Sequence, residues 1–413
     1  MRKILLATTA IVGVALAGAA HAASTSPISL NVGGYTDFVA GAYNESQGTI
    51  PSLQRSVGGF ETEYKLNFDA IGKASNGIEY GANVSLWNGP EIGNLWQGGG
   101  NTAELNSAYV WLSGAFGKAL LGDEHGASDL QVYAPTVGEG QVDGRYMDFV
   151  SPFSLARVYA SGIDNTEHGT KITYYTPKIG NDMSKVQVGL SYEPNQYNYG
   201  SGVSKFNSST TSTLPLSTGG ALSPYKNKVD GAVEYWGNFH PVTVAASANI
   251  STANAGATGS TSPSEYYYAP AAGHGFRDFT SWGAGTQVGL NSLPGFTLGG
   301  SYEDLGHYGT THGQNREQDV WSFGGKYEFD KVAVAANYIT ASEYDNLLLG
   351  NEARALTDTN YVNSFNAYGF GATYTWFPGL TTSGDAVFFD QSVANNNDHN
   401  NGYVLLVAQK LTF

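Results

Sequence analysis

Residues 124–168 carry seven carboxylates, Glu124, Asp129, Glu139, Asp143, Asp148, Asp164 and Glu167, against two cations, Arg145 and Arg157. Oxygen donors at that density can coordinate a hard cation such as Ca²⁺, or hold a fixed negative field against passing ions. The D-x-D-x-D-G spacing of a dedicated calcium loop is missing at Asp123-Glu124 and over 143–148. Loop-bound Ca²⁺ is therefore the minor reading, and no other cofactor or metal is expected. Covalent chemistry has no support either. No G-x-S-x-G, H-E-x-x-H or P-loop occurs, and the absence of Cys removes thiolates, disulfides and Cys-ligated metals. His274, His307, His312 and His399 lie in polar connections, where solvated side chains are the ordinary outcome. No catalytic residue is assigned. Within the acidic segment, Ala134-Pro135-Thr136, Gly138 and Gly140 supply turn chemistry.

What must position this segment is a series of stretches with period-2 alternation. In Phe60–Ala70, Phe60, Thr62, Tyr64, Leu66 and Phe68 alternate with Glu61, Glu63, Lys65, Asn67 and Asp69. Ile28–Ala42 and Ile78–Trp87 show the same habit. It continues through Leu105–Ser113, Lys118–Asp123, Gly169–Thr176, Lys185–Glu193, Asn227–Asn238 and Val242–Ser251. Thr280–Leu290, Phe296–Asp304, Asp319–Phe329, Val332–Ala341, Ser364–Trp376, Leu380–Asp390 and Gly402–Phe413 complete a set of sixteen predicted strands. The connections alternate strictly between short turns and long loops, the acidic segment being the third long one. A membrane barrel has a reason to put all long loops at one end, and an even strand count lets the first and last strands pair. Aromatic residues gather near strand ends, as at Trp282, Trp321, Tyr374 and Trp376, which is where a membrane girdle sits.

Composition narrows the class. Charged residues make up 13% of the 413, against roughly 25% in soluble domains, while Gly reaches 54 and Tyr 27. Mean hydropathy is −0.23, and no run after the first residues approaches the ~18 apolar residues of a membrane helix. Arg2 and Lys3, the apolar run 4–18 and Ala20-His21-Ala22 read as a signal peptide over 1–22, leaving a single domain over 23–413. Losing Arg2 and Lys3 takes the formal charge from −15 to −17. Such a charge disfavours nucleic acid and favours cations as partners. By strand parity the lumen face is mostly polar and acidic: Asp37, Glu61, Glu63, Asp69, Glu79, Asp230, Glu234, Glu303, Glu328 and Asp385, with Lys65, Lys171, Lys326 and Lys410 as its bases.

The signal sequence, the sixteen strands, the loop alternation, the dominant third loop and the terminal Phe413 together make the chain similar to the Gram-negative general porins, in particular the acidic, Cys-free, Gly- and Tyr-rich alphaproteobacterial type. That resemblance implies an all-β, sixteen-stranded antiparallel transmembrane barrel in the outer membrane, assembled as a homotrimer. Its third loop would fold into a water-filled pore for ions and small hydrophilic solutes. It implies a constriction made by Asp129, Glu139, Asp143, Arg145, Asp148 and Arg157, facing a lumen wall of Glu61, Glu63, Lys65, Lys171, Lys326 and Lys410. Carboxylates and bases on opposite walls would set a transverse field, here weakly cation-selective. Phe413 would be the signal read by the outer-membrane insertion machinery, and lipid and lipopolysaccharide would surround the barrel. A sugar- or nutrient-selective porin, a barrel enzyme and a secreted sugar-binding β protein are the competing readings.

Overall fold

The computed structural model describes residues 28–46, 58–88, 104–150, 168–195, 225–255, 277–308, 310, 318–344, 362–393 and 399–413. The signal segment 1–22 and Arg157, Asp164 and Glu167 lie outside them. Seventeen β segments follow one another: β1 (Ser29–Glu45), β2 (Gly58–Lys73), β3 (Glu79–Trp87), β4 (Glu104–Gly114), β5 (Gly117–Asp123), β6 (Thr170–Tyr175), β7 (Ile179–Gly180), β8 (Ser184–Asn195), β9 (Tyr225–Phe239), β10 (Val242–Ala255), β11 (Phe279–Leu290), β12 (Leu293–Gly306), β13 (Gln318–Phe329), β14 (Val332–Tyr344), β15 (Val362–Phe377), β16 (Leu380–Val393) and β17 (His399–Thr412). All belong to one sheet, and β1 pairs with both β2 and β17, so the sheet closes. β6 and β7 are two pieces of one stave, since both pair with β8. Between the pairs Tyr175–Gly189 and Ile179–Val186 their side carries one extra residue, a bulge at Pro177, which has no N–H to give to the ladder. The barrel therefore has the sixteen antiparallel staves that the alternation predicts.

Several staves outrun their predicted ends. β10 continues from Ser251 to Ala255 and β1 from Ala42 to Glu45. Alternation marks only the part of a strand with lipid on one side, whereas the hydrogen-bond ladder continues above it. No helix among the described residues is long and apolar enough to cross a membrane, and the crossing is made by strands. Phe38, Val84, Leu190, Phe323, Phe370 and Val407 stand exposed on the outer face. Trp282, Tyr302, Trp321 and Phe323 form a chain of ring contacts, at 5.2, 4.4 and 5.9 Å between successive centroids, as an aromatic girdle does. Phe413 also faces outward, and its backbone closes the seam. Its N–H donates to the Gly34 carbonyl at 3.0 Å, and the Gly34 N–H donates to the Phe413 carbonyl at 2.9 Å.

The inner face departs from a uniformly polar lumen. β2 and β3 present Glu61, Glu63, Asn67, Asp69 and Asn83, as parity predicts. β14–β17 instead turn Ile339, Ala341, Phe365, Ala367, Val387, Phe389, Val404, Leu406 and Ala408 inward, all buried. They are dry because the third loop covers them with Val142, Tyr146, Met147, Phe149 and Val150. Fully burying one such side chain contributes about 1.5–3 kcal/mol, so the five together hold the loop by on the order of 10 kcal/mol.

Candidate functional site, the third loop and its acidic seat

The third loop leaves β5 at Asp123, and its described part, 124–150, is laid along the inner wall stave by stave. A segment with little secondary structure must find partners for its own N–H and C=O groups when it is buried. Short inward side chains supply them. The N–H groups of Ala127, Val132 and Ala134 donate to Ser191 Oγ at 3.1 Å, Ser247 Oγ at 2.7 Å and Ser322 Oγ at 3.1 Å. Asn249 Nδ2 donates to the Ser128 carbonyl at 3.4 Å, and Gln287 Nε2 to the Tyr133 carbonyl at 2.8 Å. Room for the loop comes from a glycine of the wall: a Cβ on Gly285 would lie 1.6 Å from the Val132 carbonyl oxygen.

Farther along, Gln141 joins loop to wall. Its Oε1 accepts from Val137 N–H at 3.0 Å and Asn337 Nδ2 at 2.9 Å, and its Nε2 donates to Asp385 Oδ1 at 2.6 Å. The other Asp385 oxygen accepts from the Glu139 N–H at 3.2 Å. Gly138, in the left-handed region at φ 61°, makes the turn that delivers Glu139 to this carboxylate.

Arg145 then settles on β1 and β2. Its guanidinium lies 2.7 Å from Asp37, 3.0 Å from Glu61, 3.2 Å from Glu63 and 3.7 Å from Glu139. The register explains the convergence: Lys410, Asp37 and Glu63 stand directly abreast on β17, β1 and β2. Lys410 is the second cation, with Nζ 3.9 Å from Asp37 Oδ2 and 4.2 Å from the centre of the Tyr35 ring. Tyr35 Oη donates to Glu63 Oε1, and Trp87 Nε1 donates to the same oxygen at 2.8 Å. Burial by itself would pull the Arg145 pKa down, but Glu61, Glu63 and Asp37 more than offset it, and the net displacement is upward. Glu139 is pushed above the usual carboxylate range, by burial first and by Asp37 and Asp385, with Lys410 and Arg145 opposing. The result is a seat of four carboxylates, on three separate chain segments, around a permanently charged guanidinium.

Two expected roles change. Glu61 and Glu63 are not an opposing wall, because they bind the loop's own Arg145 directly. Lys171 does not line the lumen. It is buried at the loop end of β6, 3.8 Å from Glu193, and donates to the Glu124 carbonyl, tying down the start of the third loop. Lys326 sits at the turn end of β13, paired with Glu328 at 2.8 Å and away from the Arg145 seat. Lys65 stays beside Glu63 on the inner face of β2, half-buried. Asp129 is exposed in a single 3₁₀ turn, Ala127–Asp129. Asp143 and Asp148 are half-buried, in the short turns Gln141–Asp143 and Tyr146–Phe149. Gln141, Asn337, Ser247 and Ser322 set the loop's path without being marked by type or spacing. The available signal was a row of inward Ser and Asn next to inward glycines, which is what a wall approached by backbone requires.

A family model for Gram-negative porins matches residues 7–396. The chain belongs to that family. This porin is therefore an integral β-barrel channel of the outer membrane. Among solved structures it is similar to an anion-selective porin from Comamonas acidovorans, with 14% identity over 94% of this chain and 100% of that one and a TM-score of 0.57. It is also similar to a loop L8 deletion mutant of OmpT, an outer membrane protein of Vibrio cholerae, with 12% identity over 93% and 99% and a TM-score of 0.54. A further porin structure gives 15% identity over 93% and 100%, with a TM-score of 0.52. No curated protein matches by sequence.

Proposed function

We propose that this porin passes ions and small hydrophilic solutes by passive diffusion, with a weak preference for cations set where the third loop meets β1 and β2. The observation that carries the reading is the composition of that seat. Asp37, Glu61, Glu63 and Glu139 converge on Arg145, with Lys410 as the one further cation that the described ion pairs bring to them. Two unit charges 4 Å apart interact by about 1 kcal/mol in water and are screened over about 8 Å at physiological salt. Residual negative charge of that size biases ion entry a few-fold and excludes nothing. The Comamonas porin, of similar fold, is anion-selective. In this reading selectivity is set by the side chains at the seat and not by the barrel.

The same reading includes cleavage of 1–22, a homotrimer in lipid and lipopolysaccharide, and Phe413 as the mark used for insertion. Asp129, Asp143, Asp148 and Arg157 remain charges of the pore-facing loop, and Ca²⁺ bound there stays a minor reading. The test is the zero-current potential of the purified protein in a planar bilayer under a KCl gradient. A potential of the sign for cation preference, reduced in Glu61→Gln/Glu63→Gln, is expected. An anion-preferring potential would overturn the assignment and make Lys65, Lys410 and Arg145 the dominant charges. Saturable block by one sugar would instead favour a nutrient-selective porin.

A further inference from the structure

The two feet of the third loop meet at a place that the channel reading leaves unused. β5 and β6 are paired down to Asp123–Thr170. Glu124 and His125 continue the first strand into the loop and His168 precedes the second, so ladder spacing brings their side chains together. One ligand atom from each of Glu124, His125 and His168 lies within 4.8 Å of the other two, and the two imidazole centres are 4.1 Å apart. Their backbones are held: the Glu124 carbonyl accepts from Lys171, and the His125 carbonyl accepts from Thr173 Oγ1 at 3.3 Å. Lys171 is itself matched by Glu193 at 3.8 Å, so its charge is not turned on the group uncompensated. Asn106 approaches His168 Nε2 at 3.4 Å. The contacting atom is the amide Nδ2; turned over, the Asn106 amide would offer its oxygen to Nε2–H, as the outer partners of metal-bound histidines do, and leave Nδ1 for the site.

We propose that Glu124, His125 and His168 bind a first-row divalent transition ion, Zn²⁺ being the best fit, across the base of the third loop. Two imidazoles and a carboxylate suit Zn²⁺ and disfavour Ca²⁺, which takes six to eight oxygens. A small inward movement brings ligand atoms at this spacing to the roughly 2.0–2.2 Å that zinc requires. The bound ion ties the two ends of the loop together. It also adds positive charge beside the loop's acidic first residues.

The test is a zinc titration of the purified, detergent-solubilised protein against a chromophoric competitor at neutral pH. One saturable Zn²⁺ per chain is expected, at least about tenfold weaker in His125→Asn/His168→Asn, unchanged in His240→Asn, and not displaced by millimolar Ca²⁺. A second measurement needs no variant. Zn²⁺ should protect His125 and His168 from diethyl pyrocarbonate in the wild-type protein, as read by peptide mass, while His240 and His399 stay reactive. Absence of a saturable site, unchanged affinity in the double variant, displacement by Ca²⁺, or equal labelling of all histidines with and without Zn²⁺ would each overturn the proposal.

Discussion

Two arcs of the barrel wall obey different rules. On β2 and β3 the outward residues are apolar and the inward ones are Glu61, Glu63, Asn67, Asp69 and Asn83, so one face meets lipid and the other meets water or ions. On β14–β17 the stretch toward the loop end is apolar on both faces, with Asn337, Asp385 and Lys410 inward nearer the turns. Phe370, Phe388, Leu405 and Val407 face outward, and Phe365, Val387, Phe389, Val404 and Leu406 face inward. The second arc has two nonpolar neighbours, lipid outside and the third loop inside. The contrast shows how the loop is held inside the barrel: by a dry seam on one arc, with Arg145 delivered to the polar arc beside it. Hydrogen bonds from the loop's N–H groups to Ser247, Ser322 and Asn337 set the path, at roughly 0.5–1.5 kcal/mol net each, but the seam supplies most of the attachment.

Breaking the seam should have the largest effect. Phe149→Ala removes a buried ring packed against the inner wall and should cost about 3–5 kcal/mol, lowering the denaturation midpoint and destabilising single-channel current. Phe149→Leu should recover most of this. An unchanged midpoint would mean that the apolar arc is not a seam. A charge on the lipid face comes next. Val84→Arg, outward on β3, should cost about 2–4 kcal/mol if it lies near the bilayer midplane, measured by refolding into vesicles. Lysine at the inward neighbour Asn67 should stay within about 0.5 kcal/mol. Equal penalties at the two positions would erase the two-faced character of that arc.

A smaller effect is expected in selectivity. Arg145→Gln removes the cation shared by Asp37, Glu61, Glu63 and Glu139, and the cation-to-anion permeability ratio should rise a few-fold, on the scale of about 1 kcal/mol. No change in reversal potential would place the selectivity elsewhere in the lumen. The smallest effect concerns pH. Glu139 holds its proton to a higher pH in the folded protein than an ordinary glutamate near 4.3. Its ionisation therefore opposes folding above the raised value, and the penalty is relieved as pH falls through the window between raised and ordinary values. Within that window cation preference should decline on acidification while the urea midpoint rises slightly. Glu139→Gln should flatten both trends.

Period-2 alternation and turn residues were enough to read sixteen strands, their order and their parity, because lipid on one face forces every second side chain to be apolar whatever the rest of the molecule does. The same parity placed Asp37, Glu61, Glu63, Asp385 and Lys410 on the inner face. The seat itself was only half legible. That Arg145 meets Glu61 and Glu63, and does not oppose them across the pore, depends on where the third loop lies. Nothing local dictates that, since residues 124–150 form only isolated turns of three or four residues. Lys171 was misplaced for the same reason: parity says which way a side chain points, not whether a loop buries it. The bulge at Pro177 and the strand extensions beyond the membrane fell outside a signal that lipid alone creates. Sequence by itself determined the staves, the closure and the acidic balance, all of which follow from short-range pattern and composition. Only the tertiary structure decided the course of the third loop, the dry seam that holds it and the set of charges gathered around Arg145, because those rest on contacts between residues more than a hundred positions apart.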